Sequence, residues 1–150
     1  MQMIQVLGED FWRMIECERI TKDSDLGELV GALHWEDSPI ASLNLNFKYG
    51  DLVFDEFIEK LWVYKYPFQW IEFDEDGKTA TYNVFNPEIS EAAYTVPVSE
   101  QLMPYLYNCS FHNKRYDQDS WFVNEIQTIF NQRIQNYPSL MEIYEQRHAQ

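Results

Sequence analysis

The stretch Asp51–Phe85, DLVFDEFIEKLWVYKYPFQWIEFDEDGKTATYNVF, decides how the chain is read. In its first half Phe54, Phe57, Ile58, Leu61 and Trp62 recur at spacings of three and four, the period of one helix face turned to a core. Asp55, Glu56 and Glu59 fall on the opposite side. Asp51 suits the N-cap, where its carboxylate accepts from free amides and meets the positive end of the helix dipole. Pro67 forbids further helix.

Beyond Pro67 the period changes from about 3.6 to 2. Phe68, Trp70, Glu72 and Asp74 share one strand face, while Gln69, Ile71 and Phe73 share the other. Thr79–Phe85 is a second strand, rich in β-branched and aromatic residues. Between them Asp76-Gly77 supplies a pair that tolerates positive φ at both centres of a tight hairpin turn. The tip carries Asp74, Glu75 and Asp76, so the turn that closes the hairpin also projects three acidic side chains.

Outward from this stretch, residues 9–20 read as a helix with Cys17 against the core and Glu9 and Asp10 in the first turn. Asp25-Leu-Gly-Glu28 has capping-box spacing before a helical run through Leu33. Ala41 to Tyr49 alternates apolar and polar residues and predicts a strand. After the hairpin, Asn86-Pro87 turns the chain, and 89–94 is a short helix or an irregular excursion. Tyr94, Val96 and Val98 alternate around Pro97, which suits an edge strand. A helix begins at Ser99 or Glu100 and runs through Tyr107, strained or shortened by Pro104. Residues 108–118 read as a polar loop. Val123, Ile126, Phe130, Ile134 and Tyr137 form a helical stripe that Pro138 ends, and Ser139-Leu-Met-Glu142 caps a last helix. The fold class is therefore α+β: a small antiparallel sheet centred on the 68–85 hairpin and packed against several helices.

The 150 residues suit one domain, 1–150, able to bury about two-thirds of its extended surface. Hydrophobic residues at 45% and aromatics at 17% exclude a disordered chain despite the charge. No apolar run reaches a membrane span, and Met1–Leu7 lacks the form of a signal peptide, so the expected compartment is the cytoplasm. There, Cys17 and Cys109 are expected to be two buried free thiols.

The net charge of −14 is spread unevenly. Residues 1–50 carry 9 acidic and 4 basic side chains, 51–100 carry 11 and 3, and 101–150 carry 5 and 4. The field is strongest in the middle third. It repels nucleic acid and anionic lipid, and it draws in basic partners.

Chemical motifs are few. Cys109-Ser-Phe-His112 places a thiol near an imidazole, a pair that runs nucleophilic chemistry when geometry assembles it. The same pair offers too few ligands for zinc, and Asp74-Glu-Asp76-Gly77 lacks the later oxygen ligands of a calcium loop. No glycine-rich phosphate loop, G-x-S-x-G elbow or H-E-x-x-H occurs, and no cofactor is implied.

Surface recognition remains. Trp70 beside Glu72 and Asp74 pairs an aromatic anchor with acidic steering groups, and Asp55, Glu56, Glu59, Glu75 and Asp76 extend the field. The expectation is an acidic stoichiometric binding protein of the immunity type, which neutralises a basic toxin such as a nuclease by covering its substrate groove. Alternatives are a phage or plasmid protein that mimics DNA against a restriction or CRISPR nuclease, an enzyme using Cys109 and His112 or a carboxylate pair, and a structural domain whose charge only confers solubility.

Overall fold

The computed structural model describes residues 2–18, 38–45, 51–74, 76–111, 120–133 and 138–149; within these, the side chains of 2, 43–45, 51–54, 110–111, 120–123, 126, 130 and 133 are not described. The expected helix from Asp25 and the ends of several other elements lie outside them.

Among the described residues five strands form one open, wholly antiparallel sheet: β1 (Gln2–Leu7), β2 (Ile40–Leu45), β3 (Phe68–Phe73), β4 (Ala80–Phe85) and β5 (Tyr94–Pro97), in the order β2-β1-β3-β4-β5. The hairpin lies at its heart, paired from Phe68↔Phe85 to Phe73↔Ala80. β5 is an edge strand, where Pro97 has no central ladder to interrupt. β1 was not foreseen: it inserts between β2 and β3, with Ile4 opposite both Leu43 and Trp70. A strand buried on both faces shows no apolar–polar alternation, and Met3, Ile4, Val6 and Leu7 are all fully buried.

Both faces of the sheet are covered. On one, Ile4, Val6, Phe68 and Phe85 pack with Phe11 and Met14 of α1 (Gly8–Glu18) and with Phe57 and Leu61 of α2 (Asp51–Val63). The Phe11 and Phe57 rings meet edge to face at 5.9 Å, and Trp62 stacks on Phe85 at 4.1 Å. On the other, Met3, Ile71, Tyr82 and Val96 pack with Leu102, Met103 and Leu106 at the start of α3 (Met103–Phe111). Ile129 of α4 (Ser120–Arg133) packs against this cluster. A third, smaller cluster joins Leu7 and Ile40 to Leu140, Ile143 and Tyr144 of α5 (Leu140–Arg147).

Between the second and third clusters runs a polar row contributed by three adjacent strands, Ser42, Gln5 and Gln69. Gln69 Nε2 donates to Gln5 Oε1 at 2.6 Å, while Gln5 Nε2 and Ser42 Oγ have no hydrogen-bond partner among the described residues.

Three local expectations are corrected, and a fourth, the end of α2 ahead of Pro67, is sharpened. Cys17 is exposed: it shares a side of α1 with buried Asp10 and Met14 but sits in the last turn, where residues 16–18 are all exposed. α2 stops before Pro67 acts. Lys65 takes the left-handed conformation (φ 58°), its N–H donates to Trp62 O, and Tyr66 N–H donates to Leu61 O, the two bonds of a Schellman cap. The hairpin turn is also looser than expected. Gly77 N–H donates to Asp74 O and Asp74 N–H to Thr79 O, which makes the connection wider than a two-residue turn, and of Asp76 and Gly77 only Gly77 has positive φ (70°). Finally, Pro104 neither strains nor shortens α3: it sits in the first turn, where a missing N–H costs nothing, and the helix continues to Phe111 through the expected loop. Cys109 is therefore a buried helical residue.

Ser139 caps α5 as its spacing predicts: Glu142 N–H donates to Ser139 Oγ at 3.1 Å. Asn86 turns the chain after β4, its Oδ1 accepting from Glu88 N–H, and residues 87–93 are irregular. Among the described residues no helix is long and apolar enough to cross a membrane.

Candidate partner-binding surface

The hairpin loop sets the first acidic group. The backbone N–H and C=O of Asp74 are both committed to closing the loop, which leaves the carboxylate at the surface. Asp76 Oδ1 accepts from Lys78 N–H, a side-chain turn that orients this carboxylate at the tip. Glu72, exposed on β3, pairs across the ladder with Thr81. Together Glu72, Asp74 and Asp76 line an open depression of about 600 Å³ floored by Phe73 and Thr81. None of the ion pairs among the described residues engages these three carboxylates. Glu75 lies outside the described residues.

The loop is braced from α3. Tyr107 packs its ring on Phe73 at 5.4 Å, and its hydroxyl stands 3.2 Å from where a Cβ on Gly77 would be. The described part of the loop is thus packed against α3.

The second acidic group lies on α2. Asp55, Glu56 and Glu59 are exposed, as the helical period predicts. Glu56 and Glu59 line a groove of about 250 Å³ with Glu18, Lys60, Val63 and Tyr64. Tyr64 Oη donates to Glu18 Oε1 at 2.8 Å, and Lys60 Nζ lies 3.2 Å from Glu18 Oε2. These two contacts, the tyrosine first, hold the Glu18 carboxyl below the usual range. The same bond pushes the Tyr64 hydroxyl up to about 12. Beside the groove Val63 is 69% and Trp62 39% exposed. Sequence reading missed Glu18 and Tyr64, because nothing local marks two residues 46 positions apart as neighbours.

Trp70 stands between these groups in the sheet without projecting from it. It is half-buried, stacked on Phe68 at 5.2 Å, and packed against the cluster beneath α1 and α2. Opposite it Asn83 is fixed by Thr95 Oγ1, which donates to its Oδ1 at 2.6 Å. The structure thus gathers Glu72 with Asp74 and Asp76, and Glu56 with Glu59, in two separate depressions, with Trp70 in the sheet's packing.

The remaining chemical candidates are placed as follows. Cys109 is 2% exposed in the core, and His112 lies outside the described residues. Among the described residues no three His, Cys, Asp or Glu side chains are grouped to hold a metal ion. Compared with family models, with curated proteins and with solved structures, the chain matches none.

Proposed function

We propose that this chain is an acidic stoichiometric binding protein of the immunity type, which neutralises a basic toxin, a nuclease, by covering its substrate groove. The observation that carries the reading is the set of carboxylates from Glu72, Asp74 and Asp76. They are presented on a braced hairpin around one open depression, and none is engaged in an ion pair among the described residues. Carboxylates already neutralised by neighbouring lysines would add little to an encounter; free ones raise the on-rate for a cationic partner by roughly 10- to 1,000-fold. A nuclease groove built for phosphates offers the complementary field. The acidic rim of α2, with exposed Trp62 and Val63 beside it, supplies apolar contact area of the kind that slows dissociation.

The test is capture from the source cell at low salt with elution on a rising salt gradient. A basic nuclease released at moderate salt, in one-to-one proportion and inactive while bound, supports the reading. The triple variant Glu72→Gln, Asp74→Asn, Asp76→Asn should then bind at least tenfold more weakly. Capture of nothing specific, or a triple variant that binds as the parent does, overturns it.

A further inference from the structure

The third cluster of the fold is small, and the helix that makes it is short. α5 spans 8 residues, a length at which an isolated helix does not hold in water, so its order depends on what it docks against. Its apolar side offers Leu140, Ile143 and Tyr144 to Leu7 and Ile40, a cluster separate from the two that hold the sheet to α1, α2 and α3.

Its far end is gripped by charge. Arg147 Nη1 donates to Asp10 Oδ1 at 2.8 Å and to Glu9 Oε1 at 3.1 Å, and His148 Nε2 lies 2.9 Å from Glu9 Oε2. Asp10 is the unusual member: its side chain is 1% exposed, and its Oδ2 has no hydrogen-bond partner among the described residues. Arg13 reaches only 3.9 Å from Asp10 Oδ1 and is itself largely exposed. Among the described residues Arg147 is thus the closest cation to a carboxylate sealed from water.

We propose that α5 is a latch that opens and closes on the sheet as a unit, with Arg147 as its catch on the buried Asp10 carboxylate. Docking α5 seals Asp10, and the guanidinium that arrives with the helix, more than the distant and exposed Arg13, makes that burial tolerable. Opening returns the carboxylate to water and bares Leu7 at the end of β1 and Ile40 at the start of edge strand β2. Weakly held units of this kind open with far less than the free energy of global unfolding.

Hydrogen exchange followed by mass spectrometry on the intact protein tests this. Arg147→Met should speed exchange over residues 140–148 at least tenfold while the 68–85 and 103–111 segments keep the parent's rates. Adding Asp10→Asn to Arg147→Met removes the uncompensated charge and should restore most of the protection; a merely structural arginine would show no such rescue. Unchanged exchange in α5, uniform acceleration across 68–85, no rescue in the double variant, or failure of Arg147→Met to fold would each overturn the latch.

Discussion

The Tyr64 hydroxyl donates to Glu18 Oε1 at 2.8 Å, tying the end of α1 to the residue that follows α2. Tyr64 should therefore titrate at about 12 rather than near 10, as read by ultraviolet difference absorbance. Glu18→Gln removes the anionic acceptor and should return Tyr64 toward the ordinary tyrosine value. In the converse experiment, Tyr64→Phe should raise the Glu18 titration followed by NMR. A Tyr64 that titrates near 10 in the parent would show the bond is not held in solution.

Lys65 occupies the left-handed position of the α2 cap at φ 58°, where a side chain costs energy that glycine avoids. Lys65→Gly is expected to stabilise the fold by about 0.5–1 kcal/mol in urea unfolding, after the entropy of the added glycine is counted. Destabilisation would mean that the lysine side chain contributes more than its backbone costs.

Gly77 presents the opposite case. At φ 70°, with Tyr107 Oη 3.2 Å from a would-be Cβ, Gly77→Ala should destabilise by about 1–2 kcal/mol. Tyr107→Phe in the same chain should recover only the crowding and leave the φ cost. Full recovery would assign the whole effect to the hydroxyl.

Ser42 Oγ is buried without a partner among the described residues. Ser42→Ala should be neutral or stabilising by up to about 1 kcal/mol, because a desolvated hydroxyl disappears and only a small void replaces it. A loss of stability in thermal unfolding would point to a hydrogen-bonded water at that position.

The acidic pair at the start of α1 gives opposing pH effects. Burial raises the Asp10 carboxyl above its ordinary 3.8 despite the Arg147 hydrogen bond, so its contribution to stability is present below that value and lost as pH rises through the raised one. Partial burial raises Glu9 too, but the His148 and Arg147 hydrogen bonds outweigh it and hold the carboxyl below 4.5; its contribution is present above 4.5 and lost on acidification. Arg147→Met removes a partner from both. The variant should lose about 3 kcal/mol near pH 7 and recover much of it toward pH 4, as Asp10 takes up a proton. The groups facing Asp10 that must be counted are Glu9, Arg13, Tyr66 and Arg147, with His148 acting through Glu9. A deficit that does not change with pH in urea titrations would exclude Asp10 as its origin.

Much of the fold was legible because its central hairpin carries period-2 patterning on both sides of a glycine turn, and because α2 keeps its carboxylates on one side. β1 was hidden by its own burial: Ile4 and Met3 serve opposite faces, and the polar Gln5 between Ile4 and Val6 is itself buried, so no exposed polar side marks the strand. Cys17 was misplaced because periodicity puts it on the side of buried Asp10 and Met14 and does not tell that the last turn of α1 is exposed. Pro104 was read as a breaker when it marks a beginning. In the acidic surface, sequence identified the charges but not their grouping, since Glu18 reaches Glu56 and Glu59 only through packing. The grip of Arg147 on Asp10 spans 137 positions, and no local pattern announces it.

The place of β1 also orders events in time. Its pairing with β3 joins Gln2 to Glu72, so the middle of the sheet cannot close until a loop of about 70 residues has been drawn in, whereas β3 and β4 meet across a short turn. Folding should begin at the 68–85 hairpin and end with the N-terminal strand sliding into the gap beside it, a long-range step of the kind that slows folding. β1 can meet β2 earlier, across a shorter loop, but until β3 joins them Met3, Ile4, Val6 and Leu7 lack the full apolar cover that leaves them buried in the finished sheet.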